Sequence, residues 1–402
     1  MKIGIVSPFM PHDVADLLDG PSQEQLTDIR GVPAPSVKAL VRGWIQRGHQ
    51  LSVFCLDPSV TQVQVLRGDH LSIHVIPKRR TRQCISDFYR VECCLIRELV
   101  RRENPDVLNA QWSYDHAWAA LQCGIPTAVT CHDAPLRIAW IVKHWFTWYH
   151  LVMAWRVIRK ADRLVCVSPY TAGHIQKYFH PQCPVAVVPN GLHPEVFQRG
   201  ERRLRQAARP EHPFTICTVG SWGGLKNIST LMKAFVQVRN RQPTARLALF
   251  GNNLGPDQAA EQWACRHNLH DGVVFKGSTP HEKILDFLET EADLMVHPSL
   301  IEANPMVLME AMACGVPVIA GRDSGGVAWT LDEGRCGFLC DIRDEHAVAK
   351  TMIEVLSQPD GNRALIERAW DSTKQRFNQE LAVTGNENIL KQLATQGRRT
   401  TR

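Results

Sequence analysis

The stretch IEANPMVLMEAMACGVPV, residues 301–318, holds two carboxylates, Glu302 and Glu310, with seven residues between them in an otherwise apolar run. The apolar ADLMVHPS upstream has the length of a strand. Asn304 can cap a helix through its side-chain oxygen, and Pro305 suits a first helical position, where a missing N–H costs nothing. Gly315 and Pro317 end the helix, and PVIA reads as the next strand. Glu302 then lies in a loop at the carboxyl end of a strand, and Glu310 about a turn and a half into the following helix. Ligands of open parallel sheets bind outside the carboxyl ends of the strands, and a helix start favours anions. Two acceptor side chains beside an anion site fit hydroxyl binding, one for a sugar and one for a ribose. A surface glutamate and a helix-dipole partner fit the same residues, so both readings stay open here.

Other strand ends carry reactive residue types. GSWGGLK, 220–226, has glycines that let the backbone approach a ligand. Its Lys226 sits at a helix start, where the dipole disfavours a cation unless an anion is bound. The phosphate role is preferred over a solvated turn lysine. DSGG, 323–326, offers either close approach to a phosphate or a tight turn. PNG, 189–191, reads as a hinge or a contact. His132 and Asp133 end the strand PTAVTCHD, where a histidine can bond a sugar hydroxyl or move a proton; a structural histidine is the alternative. Gly31, in DIRGVPAPSV, opens a helix at a ligand or lies in a flexible connection, the preferred choice.

These residues need a scaffold. The chain has 402 residues, room for two or three domains. Hydrophobic residues make up 44% and charged residues 21%, which argues against disorder. Of the net charge of +6, five fall in residues 1–195, with 21 Lys/Arg against 16 Asp/Glu. That excess fits anionic lipid or an anionic substrate and is too weak to indicate nucleic acid. Thirteen scattered cysteines without paired Cys-x-x-Cys spacing fit a reduced cytosolic setting. MKIGIVSPF is too short for a signal peptide, and the lack of a clean 18-residue apolar run predicts no transmembrane helix.

Strand and helix patterns alternate twice. KIGIVSPF, LSVFCLD, LSIHVIP, DVLNA, PTAVTCHD, RLVCVSP and VAVVPNG are the strands of a first doubly wound parallel sheet. TICTVGS, ARLALFG, GVVFKGS, ADLMVHPS and PVIAG belong to a second. The polar, basic 197–213 reads as an interdomain linker, and RRTTR at the end as frayed. Two such domains form a cleft between facing strand ends, where ligands commonly bind. The segment 137–160 predicts one long helix with Trp140, His144, Trp148, Leu151 and Trp155 on one face and Trp145 and Tyr149 beside it. Its aromatic and basic residues suit a membrane interface, but a buried helix is the preferred reading.

Taken together, the order and spacing of RGH at 47–49, PNG followed by Phe197, VGS…Lys226, the Glu302–Glu310 stretch and SGG resemble the retaining glycosyltransferases of family four, over nearly the whole chain. The resemblance implies an α/β chain of GT-B fold, two doubly wound Rossmann-like domains facing a central cleft, with a C-terminal helix crossing back to the first. It implies an acceptor-binding domain at 1–196, the linker 197–213, a nucleotide-sugar domain at 214–375 and a returning helix at 376–402. Glu310 would hold the ribose. Glu302 would contact the donor sugar, with backbone N–H groups around Asn304, Pro305 and Met306. Lys226 would neutralise the departing pyrophosphate beside Gly220 and Ser221. Lys276 would read the nucleobase through its backbone, and His132 would lie beside the reacting sugar, with Gly31 and Asp133 on the acceptor side. No metal or other cofactor is implied. The partners would be a nucleotide-sugar, a glycan or lipid-linked acceptor and, peripherally, an anionic membrane at its cytoplasmic face. The chain departs from the family pattern at Ser221, where an arginine is usual, at Val32 after Gly31, at Asn304 and at Trp329. The loss of an arginine motivates a rival reading, a catalytically silent sugar-nucleotide binder on the same fold; a GT-B epimerase is another.

Overall fold

The computed structural model describes residues 1–206, 212–358 and 360–395. The expected fraying of 398–402, and 207–211 of the expected linker, lie outside them. The chain divides into two compact units, Met1–Gly191 with the segment from Gln379, and Leu192–Asn378. The PNG turn therefore ends at the crossing from one unit to the other.

Unit 1 is built on eight strands: β1 Lys2–Val6, β2 Gln50–Asp57, β3 Gln64–Arg67, β4 Leu71–Pro77, β5 Val107–Gln111, β6 Thr127–Cys131, β7 Arg163–Cys166 and β8 Val185–Val187. Their order is β3-β4-β2-β1-β5-β6-β7-β8, and all pair in parallel except the β3–β4 edge. β1, β2, β5 and β6 are buried almost throughout, as expected of strands covered by helices on both faces. Unit 2 holds β9 Thr215–Val219, β10 Arg246–Phe250, β11 Val273–Gly277, β12 Leu294–His297, β13 Val318–Gly321 and β14 Phe338–Cys340, in the order β11-β10-β9-β12-β13-β14, all parallel. In each sheet the chain first builds outward on one side of a starting strand and then switches to the other. The switch falls between β1 and β5 in unit 1 and between β9 and β12 in unit 2, the crevice positions where such sheets bind ligands.

The last helix, Gln379–Thr395, belongs to unit 1 and packs on Pro35–Gln46. Gly43 permits this approach, because a Cβ there would collide with Val383. The RGH turn ties the same helix down: Arg47 pairs with Glu387 and Glu380, and His49 Nε2 lies 2.9 Å from Glu387 Oε1.

Two features differ from the sequence reading. Residues Pro194–Arg205 form a helix of unit 2, although 197–213 reads as a linker. Its charge has an internal use: the buried Arg199 meets Glu282, Asp286 and Glu289, and Val196 and Phe197 enter the core. The single helix expected over 137–160 is two, Pro135–Val142 and Trp145–Lys160. Lys143 breaks it at φ +51°, and His144 Nδ1 accepts from Phe146 N to start the second. The preference for burial is also overturned. The second helix buries Met153, Ala154, Val157 and Ile158, while Trp145, Trp148 and Trp155 face outward.

Candidate functional site

In unit 2 the loops after three adjacent strands are tied to one another through backbone. After β12, Leu300 N donates to Leu225 O of the GSWGGLK loop that follows β9. Glu302 N donates to Ser324 O, and Gly326 N to Glu302 O, so Glu302 forms a parallel bridge with the SGG turn after β13. Gly251 lies against Gly220 so closely that a Cβ would strike the Gly220 carbonyl. This locks the first glycine of the loop at the end of β9. Lys226 closes that loop, with the helix Ile228–Arg241 beginning two residues later.

The side chains then converge. Lys226 Nζ donates to Glu302 Oε1 at 2.5 Å, and His297 Nε2 lies 3.1 Å from the same oxygen. Burial alone would push the Glu302 carboxyl up, but Lys226 and His297 outweigh it and hold the group well below the usual carboxylate range. Glu302 is therefore a carboxylate throughout the physiological range, an acceptor and not a proton donor. Both bonds fall on Oε1, and Oε2 accepts from no described residue.

Glu310 lies on the helix Met306–Ala313, buried, with His281 Nε2 2.9 Å from its Oε1. Pro305, not Asn304, holds the capping position of that helix, and it makes no side-chain cap. The Asn304 amide instead turns inward to Met309 Sδ at 3.3 Å and Thr330 Oγ1 at 3.4 Å. The expected cap is thus corrected: the buried site gives the side chain partners that compete with the helix start. The first N–H groups of a helix lack intrahelical acceptors, so those around Met306 remain donors toward the strand ends.

Ser221 is exposed in the loop beside Lys226. Arg322, the basic residue just after β13, directs its guanidinium to Leu339 O at 3.1 Å. Lys276 stands on β11, two strands from β9, and lines a cavity of about 310 Å³ with Phe250, Thr279, Lys283 and Phe287. No hydrogen bond or ion pair joins it to Glu302 or Lys226, although the helix after β11 starts at His281, which reaches Glu310.

In unit 1, His132 follows β6. Its Nε2 lies 2.7 Å from Gln111 Oε1, and the Gln111 amide nitrogen is committed to Asn109 and Thr130. His132 must therefore donate from Nε2, which makes Nδ1 the ring's acceptor. Trp112 packs its ring, tilted by 30°, against the imidazole at 4.4 Å from a left-handed backbone, φ +61°. Such strain in a bulky residue persists only where its surroundings enforce it. Asp133 accepts the hydroxyl of the partly buried Tyr114, whose ring stacks on His150. Gly31 does not open a helix. It lies in a loop before Pro35, at φ +66°, with its N–H on Asp57 Oδ2 at 2.6 Å.

His297 and His281, the partners of the two glutamates, were missed in the sequence reading. The signal that singles out His132, a histidine at the carboxyl end of a strand, applies equally to His297 in ADLMVHPS. Nothing in the sequence marks His281.

The buried and half-buried histidines of unit 1 have a consequence for stability. Burial pushes His132 and His174 down to about 4, and lowers His74 and His150 as well. Between pH 6.5 and 4 the unfolded chain binds protons that the folded unit refuses, so stability falls as pH drops through that window. His174 lies on the helix Pro169–Phe179, and its Nε2 is buried without a hydrogen-bond partner among the described residues. Urea unfolding at pH 7, 6 and 5 should show a falling midpoint, and His174→Phe should reduce the slope by at most about 1.4 kcal/mol per pH unit. An identical slope in the variant would remove His174 from the account.

Among the described residues no cluster of His, Cys, Asp or Glu could hold a metal ion, and no helix is long and apolar enough to cross a membrane. Two family models match the chain: "Glycosyltransferase Family 4" over residues 34–196 and "Glycosyl transferases group 1" over 200–371. The N-acetyl-alpha-D-glucosaminyl L-malate synthase of Bacillus anthracis is 26% identical over 302 residues, covering 73% of this chain and 76% of that protein. Other curated relatives are covered over 46% to 66% of their length. Among solved structures, a sucrose-phosphate synthase from Thermosynechococcus elongatus superposes with a TM-score of 0.79 at 20% identity, covering 99% of this chain and 100% of that one. An Anabaena protein, HepE, in complex with UDP-glucose superposes at 0.67 with 17% identity, covering 98% and 100%. At these identities the structures establish the fold, two parallel-sheet α/β domains of GT-B type.

Proposed function

Since the chain belongs to the group 1, family 4 glycosyltransferases, we propose that it moves a sugar from a nucleoside-diphosphate sugar to a glycan or lipid-linked acceptor, with retention of anomeric configuration and without a metal. The observation that carries this reading is the Lys226–Glu302–His297 contact at the switch point of unit 2. It sets a cation for a departing pyrophosphate beside a permanently ionised acceptor for sugar hydroxyls. Retention follows if the acceptor attacks the face the phosphate leaves, the phosphate oxygen taking the acceptor's proton. Protein groups then need only stabilise charge. Glu310 holds the ribose, the N–H groups at Met306 meet donor oxygens, and the backbone at Lys276 reads the base. His132 offers Nδ1 to a sugar hydroxyl, with Asp133 and Gly31 on the acceptor side. The setting is polysaccharide or glycolipid synthesis in the cytoplasm. A lipid-linked acceptor would bring the protein into peripheral contact with a membrane.

The first test is thermal unfolding with UDP, GDP, ADP and their common sugar conjugates. A ligand at ~100 times its dissociation constant adds about 2.7 kcal/mol. Selective stabilisation by one nucleotide defines the donor base; stabilisation by none contradicts the reading.

Ser221 favours one rival, a binder without turnover, because the loop presents a hydroxyl where a second cation would be expected and Arg322 is engaged elsewhere. If the enzyme is active but lacks that cation, Ser221→Arg should raise kcat by about 10-fold or more with the donor found above. If wild type binds donor but transfers nothing, and Ser221→Arg alone restores transfer, the silent-binder reading describes the natural chain.

A further inference from the structure

We propose that the helix pair Pro135–Val142 and Trp145–Lys160 is a docking face for an anionic phospholipid bilayer. This inference deepens the proposed reading and rests on it for a reason to seek a membrane, but its physical basis lies wholly in unit 1. Trp140 is 63% exposed, Trp145 56%, Trp148 43%, Val152 49% and Trp155 49%. In the second helix Trp145, Trp148, Val152 and Trp155 follow one another at intervals of three and four, so they share a stripe. The opposite stripe, Met153, Ala154, Val157 and Ile158, is fully buried and anchors the helix to the sheet. Indole is the costliest side chain to leave in water over so large an area, and contiguous exposed apolar surface marks an interaction site.

Charge selects the partner. Residues 135–160 contain Arg137, Lys143, Arg156, Arg159 and Lys160 and no Asp or Glu. None of the five pairs with a carboxylate among the described residues. Arg159 lies over the Trp155 ring at 5.1 Å, its charge held at the edge of the apolar stripe. Arg156 lies over the Phe88 ring and Lys160 over Trp118, but no carboxylate among the described residues neutralises any of the five. Outward tryptophans flanked by such cations match the boundary between acyl chains and anionic headgroups. A second copy would set these five charges against the same five, which disfavours self-association. The placement also serves transfer. The first helix begins two residues after Asp133, and His150 of the second stacks on Tyr114, the partner of Asp133. A lipid-borne acceptor caught here arrives beside the strand end that carries His132.

The test is co-flotation of the full chain with vesicles of phosphatidylcholine, with and without phosphatidylglycerol, at low and high salt. Binding should require the anionic lipid and weaken with salt. Lys143→Gln with Arg159→Gln should lower partitioning about fivefold per charge, roughly 25-fold together. Trp145→Ser with Trp148→Ser should lower it by about tenfold or more. Lys143, Trp145 and Trp148 are exposed and Arg159 is half-exposed with no carboxylate partner among the described residues, so both variants should keep the wild-type melting temperature and the nucleotide-induced shift. No flotation with anionic vesicles at low salt, while nucleotide still stabilises the protein, overturns the docking face and leaves sugar transfer standing. Flotation without any nucleotide effect does the reverse. A wild-type oligomer that the tryptophan variants dissolve, with no vesicle binding, assigns the face to a second copy and also overturns the proposal.

Discussion

Replacing Lys226 with alanine is expected to lower kcat by about 10² to 10³ while changing donor affinity far less. The reason is where charge develops. In the bound donor the pyrophosphate charge is already spread over two phosphates, but bond breaking concentrates more of it on the leaving oxygens. A preorganised cation acts most on that change, and the removal of one such group costs about 3–4 kcal/mol of barrier. The lysine is preorganised by Glu302, which holds Nζ at 2.5 Å. The loop behind it is fixed by Gly251 against Gly220 and by Leu300 on Leu225.

The variant has a second effect that must be separated from the first. Lys226 is the strongest influence keeping the half-buried Glu302 ionised against the cost of burial. Without it the carboxyl should rise toward neutrality, leaving only His297 to oppose the shift. Activity of Lys226→Ala should therefore gain an acid limb that wild type lacks, falling as pH drops. Comparison with Glu302→Gln and with the double variant isolates the coupling. Steady-state kinetics on the stabilising donor decide the matter. A Lys226→Ala protein with wild-type kcat would end the assignment of this lysine to the leaving group.

How far the sequence reaches can be judged element by element. The apolar runs that became β1, β2, β4 to β7, β9, β10, β12 and β13 are largely buried on both faces, so hydrophobic length alone marks them. The edge strand β11 is marked by its apolar VVF despite an exposed Lys276. β3 and β14 escaped because QVLR and FLC are edge strands of four and three residues, too short to show a strand pattern. The helix Pro194–Arg205 was hidden for a different reason. Its arginines read as solvent-facing, whereas Arg199 is buried among carboxylates of a helix about 85 residues away in the chain. The break at Lys143 has no glycine or proline to announce it. At the site, glycine and glutamate positions were legible because spacing and strand ends constrain them. The histidines behind them were not, because a second contact across loops leaves no periodic trace.

The pair His281–Glu310 sharpens the remaining large effect. Glu310→Ala should weaken nucleotide binding roughly 10²-fold and leave kcat at saturating donor nearly unchanged. A ribose presents two adjacent hydroxyls, and a carboxylate accepts both at once. Hydrogen bonds to a charged acceptor contribute about 1.5–3 kcal/mol, and the loss applies to ground state and transition state alike, so it falls on affinity rather than turnover. Burial strengthens the case, because Glu310 lies in the core-facing side of its helix, where an ionisable residue is costly unless something uses it. His281 holds one of its oxygens, yet that histidine is itself 40% exposed and can yield the oxygen to a ligand. Nucleotide and histidine then compete for Oε1. His281→Ala should bind nucleotide as tightly as wild type or more so, whereas a purely structural pair would make both variants merely less stable. Calorimetric titration with the stabilising nucleotide separates the two. Undiminished affinity in a folded Glu310→Ala protein would show that the ribose is held elsewhere.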